Sequence, residues 1–164
     1  MGLRKILTKE ESVLHKRCRP VTVFDEKLHD LLDDMAETLV EANGVGLAAP
    51  QVGILRRIFI VDIGEEIVEL INPEILETEG EQDGMEGCLS VPNEFWLVKR
   101  PMRVKAKAQD RYGDWFEIEG EELIARCLCH ENDHLDGHLY TEIAYHKLTE
   151  EELAELYGAE DEEE

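Results

Sequence analysis

Two histidines one helical turn apart, with a glutamate between them, can hold a metal ion and work on a water beside it. The chain carries such a segment, His130-Glu131-Asn132-Asp133-His134. On a helix, residues four apart leave from the same face, so His130 and His134 can grip one ion while Glu131 reaches a water there. The pattern alone does not compel that chemistry, because histidine pairs also decorate ordinary surface helices. A catalytic site of this kind needs a third protein ligand and one open position.

Several residues could be the third ligand. The metzincin pattern asks for a histidine where this chain has Tyr140, and His138 comes early, just past the helix-ending Gly137. Glu142 and Glu150 lie downstream, as the glutamate of thermolysin-like proteases does, but without a surrounding motif. Cys88 lies far upstream in Glu86-Gly87-Cys88-Leu89-Ser90, a glycine-flanked stretch whose amides can point at a ligand. A lone cysteine is usually a small buried hydrophobe. A thiolate with two imidazoles is nevertheless a sound tetrahedral donor set, which makes Cys88 the strongest candidate.

The elements that would position these groups follow from periodicity and punctuation. Residues 121–135 carry helix formers without a break and Gly137 stops them, so the histidines belong to the end of a helix. Asp25 can cap a helix running to about Ala42, with Leu28, Leu31, Leu32, Met35 and Leu39 on one face and Asn43-Gly44 ending it. Residues 44–53 read as a glycine-bearing loop. A nucleotide loop is excluded, since Ala49 stands where the third glycine belongs and the loop follows a helix. Gln51 is the side chain there with strong hydrogen-bonding capacity. Residues 57–63 form an apolar strand buried on both faces, 67–71 its hairpin partner, and Asn72-Pro73 a break before a strand at 75–79. Residues 80–84 read as a polar loop. Residues 103–109 alternate, basic side outward, and pair with 115–119. The fold class is therefore α+β: antiparallel or mixed sheets of about six short strands packed around the central helix, with an N-terminal and a C-terminal helix.

The 164 residues predict one catalytic domain over 1–148, followed by an acidic helix and tail over 149–164. A net charge of −22 argues against non-specific binding to nucleic acid or anionic lipid. No apolar run reaches membrane-spanning length and the first residues lack a signal-peptide core, so a cytoplasmic protein with no membrane contact is expected. There Cys18, Cys88, Cys127 and Cys129 stay reduced.

Three ordered motifs give the chain a family. Gly44-Val45-Gly46-Leu47-Ala48-Ala49-Pro50-Gln51, Glu86-Gly87-Cys88-Leu89-Ser90 and His130-Glu131-Asn132-Asp133-His134-Leu135 resemble those of bacterial peptide deformylases, over about residues 3–148. One departure is Cys129, where that family usually has Gln. The resemblance implies hydrolytic removal of the formyl group from the N-terminal formylmethionine of new polypeptides, releasing formate. It implies one divalent ion per chain on Cys88, His130 and His134: Fe2+ in cells, with Zn2+, Ni2+ or Co2+ in isolated protein. Glu131 would act as general base on the attacking water and then as general acid toward the leaving amine, and Gln51 and the Leu89 N–H would steady the oxyanion. Val45, Gly46, Glu86, Gly87, Leu123 and Cys127 would bind substrate. Formylated nascent peptides imply work near the ribosome, though no basic patch for its RNA is evident. Two other readings use the same histidines: a zinc endopeptidase, and a binding module whose metal is purely structural, with Cys127 or Cys129 as fourth ligand.

Overall fold

Helix α1, Glu26–Glu41, begins where Asp25 sits in extended backbone and accepts a hydrogen bond from the Leu28 N–H. That bond satisfies an amide the first turn would otherwise leave unpaired. The expected apolar face, from Leu28 to Leu39, is buried. The computed structural model describes residues 2–163, with side chains as far as Leu156, so the end of the expected acidic tail (160–164) lies outside the described side chains.

In chain order the strands are β1 (Gly46–Ala48), β2 (Ile58–Asp62), β3 (Ile67–Glu79), β4 (Gln82–Cys88), β5 (Val91–Arg100), β6 (Arg103–Gln109), β7 (Trp115–Glu121) and β8 (His146–Lys147). They make a five-stranded sheet, β1-β2-β3-β6-β7, and a three-stranded one, β4-β5-β8, with every pairing antiparallel. Helix α2, Leu123–Leu135, lies between them, and α3, Glu150–Glu163, ends the chain. Thr149 and Glu152 exchange side-chain-to-backbone bonds at the start of α3, a capping box. Among the described residues no helix is long and apolar enough to cross a membrane.

Strand β2 explains the layering. Successive side chains alternate between the two faces of a sheet. Ile58 and Ile60 pack with α1, while Phe59 and Val61 pack with Ala125, Leu128 and Leu135 of α2. Both faces are covered, which is why the run is apolar throughout. Each such side chain contributes roughly 1.5–3 kcal/mol by leaving water. The other side of α2 meets the small sheet, where Val91 and Val98 cluster with Leu139 and Tyr140.

Several expected boundaries move. Asn72-Pro73 does not break the chain: β3 runs through it with a register shift between Ile71 and Glu74. Asn72 takes φ 52 and ties its side chain to the Val21 backbone and to Gln109, so a bulge absorbs the missing proline N–H. The loop at 80–84 is mostly the start of β4, and the 44–53 loop contains β1 and a one-turn 3-10 helix, Ala49–Val52. Helix α2 starts at Leu123 because Glu121 still pairs with Arg103 in the sheet.

Candidate metal centre

Helix α2 presents His130, Glu131 and His134 to the small sheet, all buried. Cys88 ends β4, where a bulge between Glu86 and Cys88 breaks the strand's alternation. The ligand atoms of Cys88, His130 and His134 all lie within 4.8 Å of one another, and this is the only such group among the described residues. Cys88 Sγ is 3.4 Å from His134 Nε2. A soft thiolate and two imidazoles converging at this range fit a borderline divalent cation. Cys129 packs instead with the core cluster that contains Cys18 and Leu128.

The Nδ1 of His130 bonds Glu86 Oε1 at 2.8 Å, which leaves its Nε2 for the centre. Glu86 accepts three more hydrogen bonds, from two side chains. Arg100 grips it in a fork, at 2.8 and 3.0 Å, and Arg126 Nη1 donates at 2.7 Å. Arg100 also reaches Asp133 at 2.7 Å, which names the partner that sequence could not give that aspartate. Burial alone would raise the Glu86 carboxyl, but the bonds from His130 and Arg100 overcome it and hold it down at about 2. Two carboxylates thus balance two buried guanidinium groups, and the network ties α2 to β4 and β5.

Glu131 differs in kind. Its Oε1 is buried and has no hydrogen-bond partner, and burial lifts its carboxyl to about 7. His134 is pushed well below the usual imidazole range, first by burial and then by His130. Its Nδ1 is likewise buried without a partner.

A cleft of about 500 Å³ opens over these groups. Its lining includes Val45, Gly46, Gln51, Glu86, Gly87, Cys88, Leu89, Leu123, Cys127, His130 and Glu131, while His134 lies beneath. The residues that the family resemblance assigns to the site are therefore at the cleft or, for His134, directly under it, whereas Cys129, His138, Glu142 and Glu150 are not among its lining. Leu123 and Val45 are exposed at its rim, and Gln51 is buried in its wall. Glu86 lines the wall, yet both its oxygens are already occupied by Arg100, Arg126 and His130. Sequence reasoning did not single out Met85 and Phe95, which also line the cleft, or Ser90 behind it. Ser90 closes the Glu86–Ser90 motif, but only its partner, Gln51 Nε2, reveals a use.

A family model described as polypeptide deformylase matches residues 3–149. The chain is 53% identical over 153 residues to a peptide deformylase of Caldicellulosiruptor bescii, covering 93% of this chain and 92% of the relative. It is 56% identical over 158 residues to one from Agathobacter rectalis, covering 94% of this chain and all of the relative (100%). Among solved structures it is similar to a peptide deformylase from Thermotoga maritima, with a TM-score of 0.86 at 43% identity, covering 88% of this chain and 99% of the other. One from Legionella pneumophila gives 0.85 at 44% identity, covering 92% and 89%.

Proposed function

The chain belongs to the polypeptide deformylase family, a metal-dependent one, and from its being an enzyme that removes formyl groups we propose how its residues divide the work. The substrate is the formyl group on the N-terminal methionine of newly made polypeptides, and the products are formate and a free amino terminus. The observation that carries this reading is the meeting of Cys88, His130 and His134 at the cleft beside the partnerless Glu131 carboxylate.

Cys88, His130 and His134 would hold the ion, Fe2+ in the cell and Zn2+, Ni2+ or Co2+ in isolated protein. A divalent ion in such a donor set supplies Lewis acidity and lowers the pKa of water toward neutrality. Glu131 takes the proton of the attacking water and returns it to the leaving amine, a role suited to a carboxylate with an uncommitted oxygen. The Gln51 side-chain amide and the Leu89 N–H donate to the formyl oxygen as charge builds there. Val45, Leu123 and Cys127 give the methionine side chain apolar surface. Gly46 and Gly87 bring backbone close to the peptide, and an extended substrate can lie beside the edge strand β1. Glu86 serves binding by shaping the wall, its carboxylate being committed to His130 and the arginines.

We also propose that 1–148 acts as one catalytic domain in the cytoplasm, near the ribosome, with 149–164 as an appended acidic segment. A formyl-Met peptide should lose formate, while the matching acetyl-Met peptide and internal peptide bonds stay intact. Cleavage of internal bonds without formate would favour the endopeptidase alternative. Retention of metal by Cys88→Ala would point the same way.

A further inference from the structure

The Gln51 side chain has its two ends told apart by its partners. Its Oε1 accepts from the Ala48 N–H at 2.8 Å, a donor only an oxygen can meet, so Nε2 lies on the other side. One Nε2 hydrogen is donated to Ser90 Oγ at 3.0 Å. The other Nε2 hydrogen is directed at Cys88 Sγ, a long contact of 3.6 Å on the cleft side. Ser90 is fully buried and has no part in the chemistry assigned above.

The backbones of these two residues are held by one extended segment near the N-terminus. The Leu7 N–H donates to the Gln51 carbonyl at 2.8 Å, and the Lys9 N–H to the Ser90 carbonyl at 2.9 Å. Gln51 rides on the 3-10 turn after β1, and Ser90 lies in the turn between β4 and β5. The Gln51–Ser90 bond thus joins two loops that are already registered against each other from behind.

We propose that Ser90 is a positioning residue for the reaction: its hydroxyl accepts one Nε2 hydrogen of Gln51 and so holds the other toward the oxygen on which charge develops. The proposal rests on the reading of Gln51 as an oxyanion donor. The terminal torsion of a glutamine amide is intrinsically broad, so an amide tied only at Oε1 would spread in angle. A donor's value in the transition state depends on alignment set beforehand. A short neutral hydroxyl suits a site this buried, since it accepts without bringing a charge.

The test compares kcat and KM for formate release by metal-loaded wild type, Ser90→Ala, Ser90→Thr, Gln51→Ala and the double variant Gln51→Ala/Ser90→Ala. Ser90→Ala should lower kcat roughly ten- to a hundredfold, less than the 10²–10³ typical of losing a donor outright, with KM little changed. Ser90→Thr, which keeps the hydroxyl, should recover most of the loss. In the Gln51→Ala background Ser90→Ala should cost nothing further. Wild-type kcat in Ser90→Ala, or an equal loss in the Gln51→Ala background, overturns the proposal. Wild-type kcat in Gln51→Ala would instead overturn the donor reading itself. A further check needs no variant: the two Gln51 side-chain amide protons of wild type should exchange with solvent at unequal rates, and equal rates would contradict the bond to Ser90.

Discussion

Gly46 and Glu131 are fitted to each other: a Cβ built on Gly46 would lie 2.6 Å from Glu131 Oε2, closer than real side chains tolerate. The edge strand β1 comes so near to α2 that only hydrogen fits between backbone and carboxylate. Gly46 is thus the reason Glu131 can lie where it does.

Gly46→Ala should therefore displace the carboxylate. General acid–base catalysis is commonly worth 10²–10⁴-fold, so a loss of kcat of roughly tenfold or more is expected, with helix content unchanged by circular dichroism. Full activity in a folded Gly46→Ala protein would separate Glu131 from the proton transfers.

Glu86 neutralises Arg100 and Arg126 where none of the three meets water freely. Glu86→Ala leaves two buried cations without their shared partner, and removing one member of such a group typically costs about 3–5 kcal/mol. The same change frees His130 Nδ1, and losing a partner of that kind commonly weakens metal binding about 10- to 100-fold. Urea unfolding and a competitive metal titration read the two effects separately. Wild-type values in both would mean the network holds neither helix nor ligand.

Cys18 supplies a pH dependence outside the centre. Burial pushes its thiol from 9.0 up to about 11, with Arg57 opposing and Asp136 adding. Between those values the folded state binds the proton more tightly than the unfolded chain, so stability falls as pH rises from about 9 to 11. The shift corresponds to about 2–3 kcal/mol lost by the upper end. Urea midpoints of wild type should drop more steeply across this window than those of Cys18→Ala. Parallel curves would show that the thiol ionises as freely in the fold as outside it.

How much of this was legible in the sequence depends on distance along the chain. The face of α1 and the buried run of β2 are local patterns, and both were readable. His130 and His134 sit within one helical turn, so their spacing pointed to a shared ion without compelling it. Cys88 became a ligand candidate through donor chemistry, yet its place at the end of β4 was hidden, because Gln82 to Glu86 mixes polar residues with glycine. Asn72-Pro73 looks like a break until the partners of Asn72 are known, and those lie at Val21 and Gln109. The Glu86 network and the Gln51–Ser90 bond join residues from separate elements, and no local spacing announces such pairs.

The central claim is that a metal on Cys88, His130 and His134 and the carboxylate of Glu131 together release formate. The direct measurement is anaerobic formate release from formyl-Met-Ala-Ser by Fe(II)-loaded wild type and Glu131→Ala, with metal content measured on both. Equal metal content, rapid release by wild type, and a rate in Glu131→Ala lower by about 10²-fold or more are expected. A folded, metal-loaded wild type that releases no formate, or a Glu131→Ala protein as fast as wild type, would contradict it.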